Sequence, residues 1–182
     1  RGCVAIATEY LDGIGYDTTS DDETIKISQD ELDDIFAKLH EAYPDKEVYR
    51  PISVSQSTNV DALGGSLFGV LLDYGQSTEV VNLFTSDVYR DYCKRIYDYN
   101  QKGYISADAT TDTTAVGELV KAGTLMSYTT GGKPGIKSQE SALAGRDMTI
   151  FQTLDDFVSS TSVAGMPWTI PISAQHKEAA MK

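Results

Sequence analysis

The sequence predicts a single α/β domain. Helix-period and strand-like segments alternate along its 182 residues, and no repeat, low-complexity tract or linker separates them. The stretch LMSYTTGGKPGIKSQESALAG (125–145) also reads as an apolar strand that runs through two glycines into a new helix, the kind of corner where open α/β sheets place ligands. The 41% hydrophobic content over this length supports one sizeable core, and no apolar run approaches the roughly 20 residues of a membrane span. Fifteen Lys and Arg stand against 27 Asp and Glu, a formal net charge of -12 that repels phosphate backbones and argues against nucleic acid as a partner.

The elements follow in order. GCVAIA (2–7) is a short buried-strand candidate, and DGIGYDTTSDDET (12–24) is an acidic loop rich in turn formers. Its Asp17–Glu23 portion admits a calcium reading, but the ligand spacing and central glycine of an EF-hand are absent, which favours a solvated loop. Ser28 and Glu31 form an S-x-x-E capping box, after which Leu32, Ile35, Phe36 and Leu39 recur at helical spacing as far as Pro44. EVYRPISVSQ (47–56) reads as a strand that Pro51 marks as an edge or a bend. NVDALGGSLFGVLLDYG (59–75) fits either a helix or an irregular apolar loop.

From Ser86 to Gly103 the pattern is helical: Tyr89, Tyr92, Cys93, Ile96 and Tyr97 share one face, and Gly103 suits a left-handed cap. A stripe of tyrosines invites a sugar-binding reading, yet a helix normally persists by burying such a face, so a core-facing stripe is expected. TTAVGELVKAG is a shorter helix ending at Gly123. In the next one Pro134 suits the first turn and Gly145 the end. DMTIFQTL, FVSSTSV and TIPIS are later strand candidates, and HKEAAMK (176–182) reads as an uncapped helix.

Signatures of catalysis are sparse. His40 and His176 each lie alone on predicted helices, outside any HExxH pattern. GGSLFG has Phe68 where a nucleophile elbow needs glycine, and neither it nor TGGKPG has the spacing of a phosphate loop. Cys3 and Cys93 form no metal or redox motif and read as two buried thiols. No motif calls for a cofactor or a metal. A carboxylate-dependent enzyme acting on carbohydrate remains an alternative among so many acids, but no particular pair stands out.

Three segments in succession, DVYRDYCKRIYDYNQKGYISADATT, AVGELVKAGTLMSYTTGGKPG and SSTSVAGMPWTIPISAQHKEAAMK, resemble the extracellular solute-binding proteins of ABC importers. The similarity is to the carbohydrate-type group and its Gram-positive lipoprotein relatives, and TEYLDGIGYD and ISQDELDDIFAKL extend it toward the start of the chain. The resemblance implies a periplasmic-binding-protein-like lobe, a mixed β-sheet flanked by helices, cut from the C-terminal half of a two-lobed protein whose first lobe is missing from these 182 residues. Arg1 and Lys182 should then lie close together at the hinge. It implies capture of a small polar solute, a sugar in the first instance and a peptide otherwise, and its delivery to ABC permease subunits. It further implies an extracellular location, with a lipoprotein anchor in the full-length protein and no enzymatic role.

For the site, the resemblance implies that Tyr128, Thr129, Thr130, Gly131 and Gly132 line the inter-lobe cleft. Exposed backbone N–H groups and hydroxyls can bond sugar hydroxyls, and an aromatic ring can cover a pyranose face. A plain tight turn would give the same residues. Trp168, the only tryptophan, serves either as a ligand platform or as core or hinge packing, and Gln56 and Ser57 are further ligand candidates just beyond the strand at 47–56.

Overall fold

β1 (Gly2–Ala7) is buried at every position, as expected of a strand covered on both faces. The computed structural model that shows this describes residues 2–20, 22–51, 57–63, 68–156, 173–176 and 178. Gln56, Trp168, the FVSSTSV segment, all of TIPIS but Ser173, both chain ends and most of the HKEAAMK segment lie outside the described residues.

β1 forms the centre of a five-stranded sheet with β2 (Ile25–Lys26), β3 (Glu47–Arg50), β7 (Leu125–Gly131) and β8 (Met148–Gln152), in the order β2-β8-β1-β7-β3. It runs antiparallel to β7 and β8, whereas β2 is parallel to β8 and β3 to β7. The sheet is therefore mixed. Its four parallel strands end at the edge where β1 begins, and the carboxyl ends Lys26, Arg50, Gly131 and Gln152 gather around Gly2.

Two helices cover one face of this sheet. α2 (Gln29–Ala42) starts at the predicted capping box, with Ser28 Oγ accepting from the Glu31 N–H at 3.1 Å and the Ser28 N–H donating to Glu31 Oε2 at 2.7 Å. It buries Leu32, Ile35, Phe36 and Leu39. α4 (Asp87–Gln101) starts at Ser86 and is followed by Gly103 at φ 78°. On the other face lie α5 (Val116–Lys121) and α6 (Ile136–Ala144), the latter closed by Gly145 at φ 64°. Pro134 precedes the first turn of α6, and the left-handed Gly135 (φ 78°) turns the chain into it. The short α1 (Thr8–Gly13) follows β1.

Of the strand expected at 47–56, β3 covers Glu47–Arg50, and Pro51 has no N–H to add to the ladder, while residues 52–56 lie outside the described residues. The described residues of the ambiguous segment 59–75 form short strands and a turn, not one helix. β4 (Asp61–Ala62), β5 (Val70–Leu71) and β6 (Val80–Val81) make a small antiparallel sheet of their own, with the single turn α3 (Leu72–Gly75) between the last two. Val60, Val70 and Leu83 form a second core under it, separate from the main one.

This second core corrects the reading of the tyrosine stripe. α4 spans two cores: Val88 and Tyr89 pack on the small sheet, while Ile96 and Tyr99 pack on the main one. Tyr99 is its one fully buried side chain, Cys93 is exposed and Tyr97 is 62% exposed. The second thiol is thus not a core residue. Cys3 is buried as expected, and neither cysteine is in a disulfide.

Candidate functional site

A narrow cleft of about 30 Å³ opens where the carboxyl ends of the parallel strands meet α2 and α4. Its polar lining comes from Gln29 at the start of α2, Tyr49 in β3, Ser57, Tyr92 and Arg95 in α4, and Thr129 in β7. Gly2 and Thr153, at the ends of β1 and β8, complete the edge. Stretches from across the whole chain thus supply one small surface.

Hydrogen bonds fix this lining from below. The Tyr49 hydroxyl shares a 2.7 Å bond with Thr129 Oγ1 and also bonds Ser57. Burial raises the Tyr49 phenol above its ordinary value, and those two bonds and the Arg95 charge oppose the rise, so it remains a neutral donor and acceptor. Tyr99 donates to Asp33, and Gln29 Nε2 donates to Asp33 Oδ1 at 2.9 Å and to the Tyr99 hydroxyl at 3.2 Å. Burial, then the Asp33 bond and charge, push the Tyr99 phenol well up.

Above this floor stand groups with spare capacity. Arg95 donates from Nη1 to Gln29 Oε1 at 3.0 Å, and among the described residues no carboxylate lies within ion-pairing distance of it. A guanidinium carries five donors, so most of its capacity is available to a ligand. Burial, followed by the nearby Tyr49, raises the Tyr92 phenol to about 12, and it stays protonated at neutral pH. Tyr92 stands between this cleft and a broader, largely apolar groove that α4 forms with residues 105–110.

The glycine corner divides the expected residues between two faces. Successive side chains of a strand point to opposite sides, so Thr129 faces the cleft while Tyr128 and Thr130 face α6. The Tyr128 ring is 2% exposed and its hydroxyl donates to the buried Glu140, to which Thr130 also donates at 2.8 Å. Burial and the Glu140 carboxylate push the Tyr128 phenol upward. Tyr128 and Thr130 are core residues in this structure, and the sugar-covering ring expected at 128 has no access to the cleft. Gly131, paired with Gly2, and Gly132 are half-buried and do not line the cleft, whereas Thr129 and Ser57 come together beside Tyr49.

Gln29, Tyr49 and Arg95 are not among the candidates the sequence offers, and Tyr92 figures there only in the tyrosine stripe, which its spacing assigns to the core. Tyr92 and Arg95 carried a legible signal: they lie one helical turn apart on a helix whose aromatic content exceeds what one core face needs. The remaining candidates lie outside the cleft lining. His40 packs on the Tyr104 ring at 5.3 Å between centroids, and His176 is exposed. The acidic loop bonds to itself, Thr19 to Asp17 and Ser20 to Asp22, and among the described residues no group of three or more potential ligands could hold a metal ion.

No family model and no curated protein sequence matches the chain. Its fold matches that of the N-glycan transport solute-binding protein NgtS from Streptococcus pneumoniae. In complex with Man5GlcNAc that protein aligns at a TM-score of 0.68 and 21% identity, over 99% of this chain and 39% of the other. In complex with Man1GlcNAc the values are 0.64 and 21%, over 84% and 33%. A family 1 extracellular solute-binding protein from Alicyclobacillus acidocaldarius aligns at 0.56 and 12% identity, over 82% and 35%. The chain has the fold of a solute-binding-protein lobe, and it spans between a third and two fifths of the length of these proteins.

Proposed function

We propose that the chain is one lobe of a two-lobed extracellular solute-binding protein. It captures an oligosaccharide between this cleft and a second lobe and delivers it to the permease subunits of an ABC importer. The observation that carries this reading is the composition of the cleft. Phenols, hydroxyls, an amide and a guanidinium with spare donors converge at the carboxyl-end edge of the sheet, the equipment that bonds a sugar's hydroxyls in both directions. Placement outside the cell, on a lipid anchor in the full-length protein, belongs to the same proposal.

The chemistry of the cleft favours binding over turnover. Glycoside cleavage uses a pair of carboxyl groups flanking the bond. The carboxylate of this network, Asp33, is already engaged by Tyr99 and Gln29. Titration calorimetry of the full-length protein with mannose-containing oligosaccharides, with chromatography of the sugar afterwards, tests both halves of the proposal. Saturable binding with the sugar recovered intact is expected. Cleaved sugar would establish an enzyme, and binding of peptides in its place would move the ligand class.

A further inference from the structure

Large apolar side chains are seldom left exposed in contiguous groups, and here four aromatic rings run in file across the surface from the small sheet to the cleft. Phe68, beside β5, is 73% exposed and meets Phe84 edge-on at 5.5 Å between centroids. Phe84, 42% exposed, meets Tyr89 at 5.1 Å. Tyr89 lies 6.4 Å from Tyr92 with the two rings stacked, 27° from parallel. Tyr92 is also a wall of the cleft, so the file leads into it.

We propose that this file holds the part of a long oligosaccharide that extends beyond the cleft, which makes the preferred ligand a chain longer than the cleft alone can enclose. The inference rests on the saccharide reading of the cleft. Each step between rings is comparable with one sugar unit, and the apolar faces of pyranoses pack on aromatic rings without needing polar partners from the protein. Continuity through Tyr92 lets one chain occupy both regions, so each ring it covers adds to affinity without a second association cost.

The test compares a mannosyl–N-acetylglucosamine disaccharide with its longer mannosyl extensions, by calorimetry on the full-length protein carrying Phe68→Ala, Phe84→Ala or both. Disaccharide affinity is expected to stay within about twofold of wild type, while the double variant loses about tenfold on the longest chain. Phe84→Tyr should restore it. Equal losses at every length, or none at any length, would overturn the proposal. Unchanged affinities with abolished import in cells would assign the file to the permease instead. A wild-type protein that binds no saccharide would remove the reading of the cleft itself, and this inference with it.

Discussion

Tyr49 shows how much a single hydroxyl can organise. It joins Thr129 on β7 to Ser57 on the segment after β3 while its ring packs at 5.1 Å from Phe36. Tyr49→Phe keeps the ring and removes both bonds, and is expected to cost about 1 to 3 kcal/mol in urea unfolding because Thr129 is left buried without that partner. Arg95→Ala, by contrast, removes a ligand-facing donor set from a half-buried side chain. Stability should stay within about 1 kcal/mol of wild type, and saccharide affinity should fall about tenfold by calorimetry. A pH effect belongs to Asp112. The Arg50 guanidinium, 2.7 Å away, and bonds from Thr114 hold its carboxyl well below the usual range. A group with a depressed folded-state pKa stabilises the fold above its unfolded value, about 4, and the contribution is lost as pH falls toward the folded value. Asp112→Asn should therefore be less stable than wild type at pH 7, with the gap narrowing progressively below about pH 4 in denaturation series.

The helices differ in what they hold. α2 obeys its sequence pattern because one core lies under its whole length, and Phe36, with no exposed surface, sits among Tyr49, Tyr99 and Tyr104. Phe36→Ala should cost about 3 to 5 kcal/mol. Tyr97→Ala on the solvent side of α4 should change stability by no more than about 0.5 kcal/mol, and comparable losses at the two positions would contradict the assigned face of α4. α6 is tied to β7 through Glu140, which accepts from both Tyr128 and Thr130. Glu140→Ala strands two buried hydroxyls, and a loss of about 2 to 4 kcal/mol is expected. The glycine corner between these elements should loosen as well, visible as faster amide exchange at Gly131 and Gly132.

At the scale of the molecule, the carboxyl ends of the parallel strands gather at one edge of the sheet, where the cleft opens. A ligand held between two lobes draws only part of its hydrogen bonds from each. If the second lobe contributes about 4 kcal/mol, this chain alone should bind roughly a thousandfold more weakly than the full-length protein, a difference that calorimetry on the two resolves directly. Equal affinities would mean that the cleft described here is a complete site.

Periodicity and capping are local, and they were legible without any structure. The Ser28–Glu31 box, the apolar face of α2, the left-handed glycines after α4 and before β8, and the strands at 2–7 and 125–131 all follow from residues within one or two turns of each other. Their alternation specified an α/β fold. Thr129 and Ser57 are candidates on the sequence alone, whereas Gln29, Tyr49 and Arg95 are not and Tyr92 figures only in the tyrosine stripe, because their role depends on distant stretches meeting at one sheet edge. Tyr128 was assigned to the ligand on its neighbourhood, yet a strand's period of two turns it away from Thr129, and the packing of α6 decides which of the two sees solvent. The tyrosines of α4 likewise fit a buried stripe by spacing. Only the tertiary structure, by placing the helix across two cores, left part of that stripe at the surface beside the cleft, because burial is a property of what packs against a face and not of the face alone.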